Sequence, residues 1–176
     1  METYMETLGC RAKEASRAAA KLTTVEKNRG LEFVAEELCL RKEELLSENE
    51  KDMEVAREQG MSEALQDRLR LTEARIEAMA EGLRQIAGLL DPIGEVLSMK
   101  NRPNGLRIGK KRVPLGVVGI IYESRPNVTA DAFGLCFKTG NAARLHRKVR
   151  SRFSRSTKAA WRRSSSALSA SCSLTF

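Results

Sequence analysis

The first half of the chain, as far as about Leu90, carries the hydrophobic spacing of amphipathic helices. Leu31, Val34 and Leu38 recur at intervals of three and four residues, which places them on one face of a helix. The preceding segment Thr23-Thr24-Val25-Glu26 has the sequence of a capping box, in which the threonine and glutamate side chains satisfy free amides at a helix start. We therefore predict a helix that begins after Thr23.

A longer apolar series follows Thr72. Its members are Ile76, Met79, Leu83, Ile86 and Leu90. Steps of three and four residues place the whole series on a single helix face. Such a face packs into the core of its own domain or binds a partner, and burial in the core is the favoured interpretation. Upstream of this series, Gly60 is predicted to end a helix and Ser62 to begin a short one.

Strand and turn signals replace the helical pattern after Asp91-Pro92. The segment Arg102-Pro103-Asn104-Gly105 has the composition of a turn. Leu106-Arg107-Ile108 on one side and Val113 on the other flank Gly109-Lys110. We therefore predict a β-hairpin around Gly109-Lys110.

The segment from Leu115 to Tyr122 is almost entirely apolar and rich in β-branched residues. This composition is typical of a strand that is covered on both faces in a parallel sheet. A short helix is predicted to follow from Val128 to Lys138, with Gly140-Asn141 at its end. Helices followed by a buried strand and a further helix indicate an α/β fold.

The charged residues are distributed unevenly. All 23 acidic residues lie at or before Asp131, whereas the tail from Arg144 to Phe176 contains nine lysines or arginines and no acid. The net charge of +8 therefore comes from this tail. A basic tail that is also rich in serine is disordered, serves as a targeting signal, or binds nucleic acid with Phe153 and Trp161 as stacking groups.

The N-terminal sequence METYMETLGCRAKEAS does not resemble a secretory signal, because no apolar segment follows a basic start. No apolar run approaches the ~18 residues that a membrane helix requires. The four cysteines, Cys10, Cys39, Cys136 and Cys172, lie far apart without a Cys-x-x-Cys pair. This spacing argues against a zinc site and against disulfides. We therefore expect a soluble, cytoplasmic protein without a metal site.

Candidate chemistry lies in the segment Glu123-Ser124-Arg125-Pro126-Asn127, directly after the apolar strand. The sheets of α/β proteins bind ligands where their parallel strands end. Arg125 can pair with a carboxylate or phosphate, and Asn127 can donate its amide to an oxyanion. These residues are equally ordinary in a solvated turn, so spacing alone leaves both interpretations open. Gly116-Val117-Val118-Gly119 is no dinucleotide fingerprint, because it lies within the strand and lacks the third glycine.

Four segments closely resemble the gamma-glutamyl phosphate reductases, also called glutamate-5-semialdehyde dehydrogenases. They are RAKEAS (11–16), EKNRGLEFVAEEL (26–38), LQDRLRLTEARIEAMAEGLRQIAGLLDPIGEV (65–96) and KRVPLGVVGIIYESRPNVTADAFGLCFKTGNA (111–142). The most specific block is VPLGVVGIIYESRPNVT, and the resemblance extends over residues 8–143. It implies an incomplete aldehyde-dehydrogenase-like α/β fold, with an N-terminal helical part and the beginning of a Rossmann-like cofactor-binding domain.

The resemblance also implies a function. Members of this family use NADPH to reduce L-glutamyl 5-phosphate to glutamate-5-semialdehyde in proline biosynthesis, and their superfamily works through a nucleophilic cysteine. By resemblance, Asn127 is the candidate for the amide that holds the oxyanion. Tyr122, Glu123, Ser124 and Arg125 are then expected to border the nicotinamide or the substrate phosphate. A homo-oligomer and a functional link to glutamate 5-kinase are implied as well.

The resemblance ends abruptly. After Asn141-Ala142 the family continues with a strand reading like ILRGG, whereas this chain continues Ala143-Arg144-Leu145-His146-Arg147-Lys148. Acidic residues, apolar periodicity and family pattern are lost at one point, as an altered reading frame would produce. We therefore predict two parts: residues 1–143 from the family domain, and a disordered tail, residues 144–176, that is out of the family frame.

The family's nucleophilic cysteine lies beyond the region of resemblance. The sequence therefore predicts a truncated form without reductase turnover, which exposes apolar surface and aggregates or stays partly molten. An alternative from another class is a non-catalytic helical interaction module with a basic nucleic-acid-binding tail.

Overall fold

The computed structural model describes residues 4–122 and 125–147. In this part of the chain the elements follow in the order α1 Tyr4–Ala19, α2 Thr24–Leu40, α3 Lys42–Glu58, α4 Glu63–Leu69, α5 Glu73–Gly88, β1 Val96–Asn101, β2 Arg107–Lys111, β3 Val117–Tyr122, α6 Pro126–Lys138 and β4 Ala142–Arg147. The predicted helical first half is confirmed. The predictions for Glu123, Ser124 and most of the basic tail lie outside the described residues.

The start of α2 is the predicted capping box. The Thr23 side chain accepts a hydrogen bond from the amide of Glu26, and the Glu26 carboxylate accepts one from the amide of Thr23. The backbone hydrogen bond from Thr23, followed by the side-chain hydrogen bond, lowers the pKa of Glu26. Ser62 stands at the N-cap of α4 as predicted, although its side chain makes no capping hydrogen bond.

The hydrophobic core lies where α2, α5 and α6 pack together. Its members include Leu31 and Leu38 of α2, Ile76 and Leu83 of α5, and Phe133 and Phe137 of α6. The two phenylalanine rings stack with their centroids 5.3 Å apart. The predicted core stripe of α5 is confirmed for Ile76, Met79 and Leu83, but Leu90 is 94% exposed. It lies beyond the end of α5 at Gly88, so the helical period no longer applies to it.

Gly134 allows α6 to approach α5 closely. A Cβ atom at this position would lie 2.8 Å from Cδ2 of Leu83 and 2.9 Å from Cδ1 of Ile86. Both distances are well below ordinary contact, so the absent side chain is what lets the two helices meet. This crossing holds α6 against the helical layer.

The hairpin consists of β1 and β2, and its turn is Arg102–Leu106. Gly105 has a φ of +83°, which favours glycine, and the Asn104 side chain accepts a hydrogen bond from the amide of Leu106 at 3.2 Å. The predicted turn at Gly109-Lys110 is therefore wrong, because those two residues belong to β2.

The strand β3 pairs in parallel with β4, and α6 connects them. Its side chains alternate between exposed and half-buried, so only one face is covered. The prediction of a strand covered on both faces is therefore wrong for this chain. β4 continues to Arg147, past Ala143, where the family resemblance ends.

The turn between α6 and β4 is fixed by a buried asparagine. The Asn141 side chain accepts a hydrogen bond from the amide of Gly116 at 2.9 Å and donates to the hydroxyl of Thr139 at 2.8 Å. Gly140, with a φ of +67°, makes the reversal possible. These contacts anchor the beginning of β3 to the beginning of β4. Within residues 4–122 and 125–147, no helix is long and apolar enough to cross a membrane.

Candidate functional site

A cleft of about 380 Å³ lies between the first turns of α6 and the junction of α4 with α5. The α4–α5 wall includes Asp67, Arg68, Arg70 and Arg75, and the α6 wall includes Arg125, Asn127 and Asp131. Apolar lining comes from Leu71 and Met79. The cleft thus lies at the N-terminal turn of α6, the helix that follows β3 in the chain.

The charged lining is predominantly cationic, with four arginines and two aspartates. Arg75 is already engaged: its guanidinium contacts both carboxylate oxygens of Asp67 at 3.2 Å and donates to the backbone carbonyls of Asp67 and Arg70. It holds the segment between α4 and α5 in place. Its contribution to the cleft is therefore chiefly structural.

The other three arginines are available to a ligand. Arg68, Arg70 and Arg125 are exposed, and none makes a side-chain hydrogen bond or ion pair with another described residue. A guanidinium presents a planar fork of donors that matches a phosphate or carboxylate. The cleft can therefore bind an anionic group.

The N-terminus of α6 contributes to the same cleft. Arg125 is the N-cap but makes no side-chain capping hydrogen bond, and Pro126 occupies the first turn. Asn127 is exposed and lies within the helix, a correction to its predicted place in a loop, because a proline at this position initiates a helix readily. The free amides of such a first turn favour negative charge.

Tyr122 ends β3 and binds α6, with its hydroxyl 2.5 Å from that of Thr129. It does not line the cleft, whereas Arg125 and Asn127 do. Glu123 and Ser124 lie outside the described residues. Of the sequence-predicted site residues, the structure therefore brings Arg125 and Asn127 together.

Asp131 lies one turn further along α6 and also lines the cleft. Burial raises the pKa of its carboxyl group. Sequence reasoning missed this residue and the arginines of the opposite wall. Only the i to i+4 spacing from Asn127 could have indicated that Asp131 lies on the same helix face.

A buried polar network anchors the other end of α6. The Lys27 ammonium donates to the Asp91 carboxylate at 2.5 Å and to the carbonyl of Lys138 at 3.3 Å. The Lys138 ammonium donates to Asn28 at 2.6 Å and to the carbonyl of Ala87 at 2.8 Å. The network thus joins α2, the end of α5 and the end of α6, and it fixes the helix whose first turn forms the cleft.

The network changes the pKa values of Asp91 and Lys138. Burial acts to raise the pKa of Asp91, but hydrogen bonds from Lys27, Ile93 and Thr24 and the charge of Lys27 leave it lowered. Burial lowers the pKa of Lys138, the charge of Asp91 opposes this, and the charge of Lys27 adds to it. The carboxylate of Asp91 is therefore bound directly by the buried Lys27, and its charge also stabilises the protonated form of the buried Lys138.

No described cysteine lines the cleft. Cys10 is exposed, Cys39 is half-buried and Cys136 is buried in α6, where burial raises the pKa of its thiol. A thiol with a raised pKa is a poor nucleophile, so the setting of Cys136 is that of a structural residue. In the described part of the chain, no three His, Cys, Asp or Glu residues are grouped to hold a metal ion.

The curated proteins and the solved structures that are similar to this chain carry one family name. No protein-family model matches the chain. It is 60% identical over 141 residues to a gamma-glutamyl phosphate reductase of Lachnospira eligens, a match that covers 80% of this chain and 34% of that protein. The protein of the same name from Halothermothrix orenii is 56% identical over 135 residues, which are 77% of this chain and 32% of that one. The chain thus spans about a third of the length of these curated relatives.

Solved structures give the same result. The crystal structure of gamma-glutamyl phosphate reductase from Thermotoga maritima matches with a TM-score of 0.88 and 36% identity, over 98% of this chain and 41% of that one. The structure from Saccharomyces cerevisiae, at 23% identity and a TM-score of 0.85 over 99% and 45% of the two chains, agrees in fold. The predicted incomplete aldehyde-dehydrogenase-like fold is confirmed.

Proposed function

We propose, because this chain belongs over about four-fifths of its length to the gamma-glutamyl phosphate reductase family, that it supplies part of an NADPH-dependent enzyme. The complete enzyme reduces L-glutamyl 5-phosphate to L-glutamate 5-semialdehyde in proline biosynthesis. As the resemblance implies, this proposal includes a cytoplasmic location, a homo-oligomer and a functional link to glutamate 5-kinase.

The cationic cleft is the observation that carries the proposal at the level of residues. We propose that Arg125, with Arg68 and Arg70 opposite, binds the phosphate of the substrate. Asn127 then donates its side-chain amide to the oxyanion that forms at the acyl carbon. Tyr122, Glu123 and Ser124 border the nicotinamide or the substrate in this proposal.

NADP(H) requires more than the described residues provide. The connection from β3 to α6 lacks the glycine-rich turn that brings a pyrophosphate onto a helix N-terminus. The donors of the cleft suit a single phosphate or carboxylate but do not form a dinucleotide site. The proposed cofactor is therefore held mainly by the part of the relatives that has no counterpart in this chain.

The chain alone is expected to be inactive, because the family chemistry requires a thiolate and no described cysteine lies in the cleft. The measurement is NADPH consumption by the purified 176-residue chain in the presence of freshly generated L-glutamyl 5-phosphate. We expect no consumption above the rate without protein. A rate that depends on the concentration of the chain would contradict the assignment of the nucleophile to the part of the relatives that has no counterpart in this chain.

Anion binding tests the cleft itself. Calorimetric titration of the full chain with inorganic phosphate is expected to show binding that Arg125→Ala weakens about tenfold or more, since a charge-assisted hydrogen bond contributes about 1.5 kcal/mol or more. Arg107→Ala, which removes an exposed arginine from β2, is the matched control. Both variants keep the basic tail, so nonspecific binding by the tail remains the same in both. Equal affinities of the two variants would reject the cleft as the phosphate site.

A further inference from the structure

Asp131 is the acidic side chain of the cleft that has no counterion among the described residues. Asp67, the other acidic residue of the lining, is bound by the guanidinium of Arg75 through both carboxylate oxygens. Asp131 makes no hydrogen bond or ion pair with another described residue. It is therefore an unneutralised carboxylate in a lining that otherwise attracts anions.

The helix itself does not account for this carboxylate. Acidic residues compensate the partial positive charge of a helix N-terminus when they lie in its first turn. Asp131 is the sixth residue of α6, and the first turn of that helix contains no acidic residue. The N-cap is Arg125. The carboxylate of Asp131 is therefore available to a ligand of the cleft.

Asp131 opposes the anion binding that the arginines of the cleft support. Burial raises the pKa of its carboxyl group, because the charged form loses hydration without gaining a partner among the described residues. The carboxylate also repels a phosphate or carboxylate ligand at close range. A ligand that carries a positive charge next to its anionic groups would offset both effects.

The cleft-lining residues of α6 follow one another in an order that matches an amino-acid acyl phosphate. Arg125 precedes the first turn, Asn127 lies within it, and Asp131 lies one turn further on. In the proposed function Arg125 binds the phosphate and Asn127 binds the acyl oxygen. The α-carbon of a glutamyl group, which carries the ammonium group, then lies on the side of the acyl carbon that faces Asp131.

The spacing of these residues also agrees with a glutamyl group. The four-residue step from Asn127 to Asp131 corresponds to a rise of about 6 Å along the helix. In the ligand, four bonds of about 1.5 Å separate the acyl carbon from the α-ammonium nitrogen, so an extended chain spans about 5 Å. One ligand can therefore contact both side chains, and the cleft of about 380 Å³ has room for it.

We propose that Asp131 binds the α-ammonium group of the substrate, so that the cleft recognises an amino acid and not merely an anion. The inference rests on the proposed function, because it requires the acyl phosphate to lie at Arg125 and Asn127. It adds a second contact of opposite charge. This contact selects a glutamyl group over a dicarboxylate of the same length.

The test is calorimetric titration of the full 176-residue chain with L-glutamate and with glutarate, which has the same two carboxylates but no ammonium group. The parent chain is expected to bind L-glutamate about tenfold more tightly, the effect of one charge-assisted hydrogen bond. Asp131→Asn should bring the ratio of the two affinities to about one or below. Glutarate carries the larger negative charge, so nonspecific attraction to the basic tail favours glutarate and cannot produce a preference for L-glutamate.

Glu54→Gln is the matched control, because it removes an exposed carboxylate of α3 that does not line the cleft. It should leave the affinity ratio at the value of the parent chain. Both changes are at exposed positions, so both variants should keep the circular dichroism spectrum and thermal transition of the parent chain. An equal change of the ratio in the two variants would show an effect of net charge alone and would refute Asp131 as the contact.

Phosphate titration separates this inference from the proposed function. A chain that binds phosphate through Arg125 but binds L-glutamate and glutarate equally refutes the contact at Asp131 and leaves the proposed function intact. A preference for L-glutamate that Asp131→Asn abolishes, in a chain whose phosphate affinity does not depend on Arg125, supports the contact and counts against Arg125 as the phosphate ligand. A chain that binds neither L-glutamate nor glutarate overturns the inference.

Discussion

Leu31 in α2 and Ile121 in β3 are both apolar residues in regular secondary structure, yet Leu31 is fully buried and Ile121 is 74% exposed. Leu31 meets a complete set of neighbours because α2, α5 and α6 enclose a common core. Ile121 has neighbours on one side of its sheet only. Local sequence is sufficient to form both the helix and the strand. Among the described residues, however, only the apolar face of the helical layer is covered by neighbouring elements.

The helix α6 belongs to both regions. Its apolar side, with Phe133 and Phe137, completes the helical core, while its N-terminal turn forms one wall of the cleft and follows β3 in the chain. The candidate site is therefore positioned by the well-packed region, although its chemistry lies at the edge of the incomplete one. Variants on the buried and the exposed side of α6 can test whether the helix separates a packed region from an open one.

The largest expected effect is the loss of a core side chain from α6. Phe133→Ala should reduce the free energy of unfolding by about 3–5 kcal/mol, because it removes a buried ring and leaves a cavity. Leu135→Ala, on the same helix but 54% exposed, should cost less than about 0.5 kcal/mol. Urea unfolding followed by circular dichroism measures both. Similar losses for the two variants would show that α6 does not separate a packed side from an open one.

Removal of the shared carboxylate is expected to have a nearly equal effect. Asp91→Asn leaves Lys27 and Lys138 buried without a counterion, which should cost about 3 kcal/mol at neutral pH. The pKa of Asp91 is lowered in the folded state, so its stabilisation is present above its ordinary value of 3.8 and is lost as the pH falls through the lower, folded value.

The measurement for Asp91 is urea unfolding of both proteins from pH 7 to pH 3. The difference in unfolding free energy between the parent chain and Asp91→Asn should be constant near neutral pH. It should become smaller as the pH falls below about 3.8. Glu95→Gln is the control, because Glu95 pairs with Arg112 at an exposed position and should change stability by less than about 1 kcal/mol. A difference that stays constant down to the lowest pH would contradict the role of the ionised carboxylate.

A smaller effect is expected at the turn that joins the two strands. Asn141→Ala removes the buried acceptor of the Gly116 amide and should cost about 1–3 kcal/mol. Asn104→Ala removes a similar bond to the amide of Leu106, but at the exposed turn of the hairpin, and should cost less than about 0.5 kcal/mol. Thermal unfolding of the pair measures the difference. A larger loss at Asn104 would mean that the hairpin, and not the β3–β4 unit, is the better-packed part of the β region.

Features that depend on neighbouring residues could be predicted from the sequence. The capping box at Thr23, the buried stripe at Ile76 and Leu83, and the helix predicted from Val128 to Lys138 follow from local spacing and local hydrogen bonds, although that helix begins two residues earlier, at Pro126. The hairpin turn was mistaken because two turn signals lie close together, and pairing of β1 with β2 decides between them. β1 is half polar and gives a weak strand signal.

Features that join distant parts of the chain could not be predicted. Arg125 and Asn127 stood out because they follow a strand, but Arg70 and Asp67 reach the same cleft from more than fifty residues away. Lys27 and Asp91 are separated by 64 residues, and neither carries a motif. The second, uncovered face of β3 was equally unpredictable, because its composition is that of a covered strand and the sequence alone does not show which neighbours are present.

The smallest expected effect concerns the negative charge of the cleft. Asp131→Asn removes a carboxylate from the cationic lining and should tighten sulfate binding about threefold, because one unit charge in a solvated cleft contributes less than about 1 kcal/mol. Sulfate keeps the same charge over the pH range of the test. Burial raises the pKa of Asp131, so the native carboxyl becomes neutral as the pH falls through that raised value, and the two affinities should then converge. Calorimetric titration at neutral and acidic pH measures the ratio of the sulfate affinities of Asp131→Asn and the parent chain. A ratio that does not change with pH would mean that the variant acts through packing against α5, where Asp131 lies 3.8 Å from the position of a Cβ at Gly82, and that the carboxylate has no part in setting the charge of the cleft.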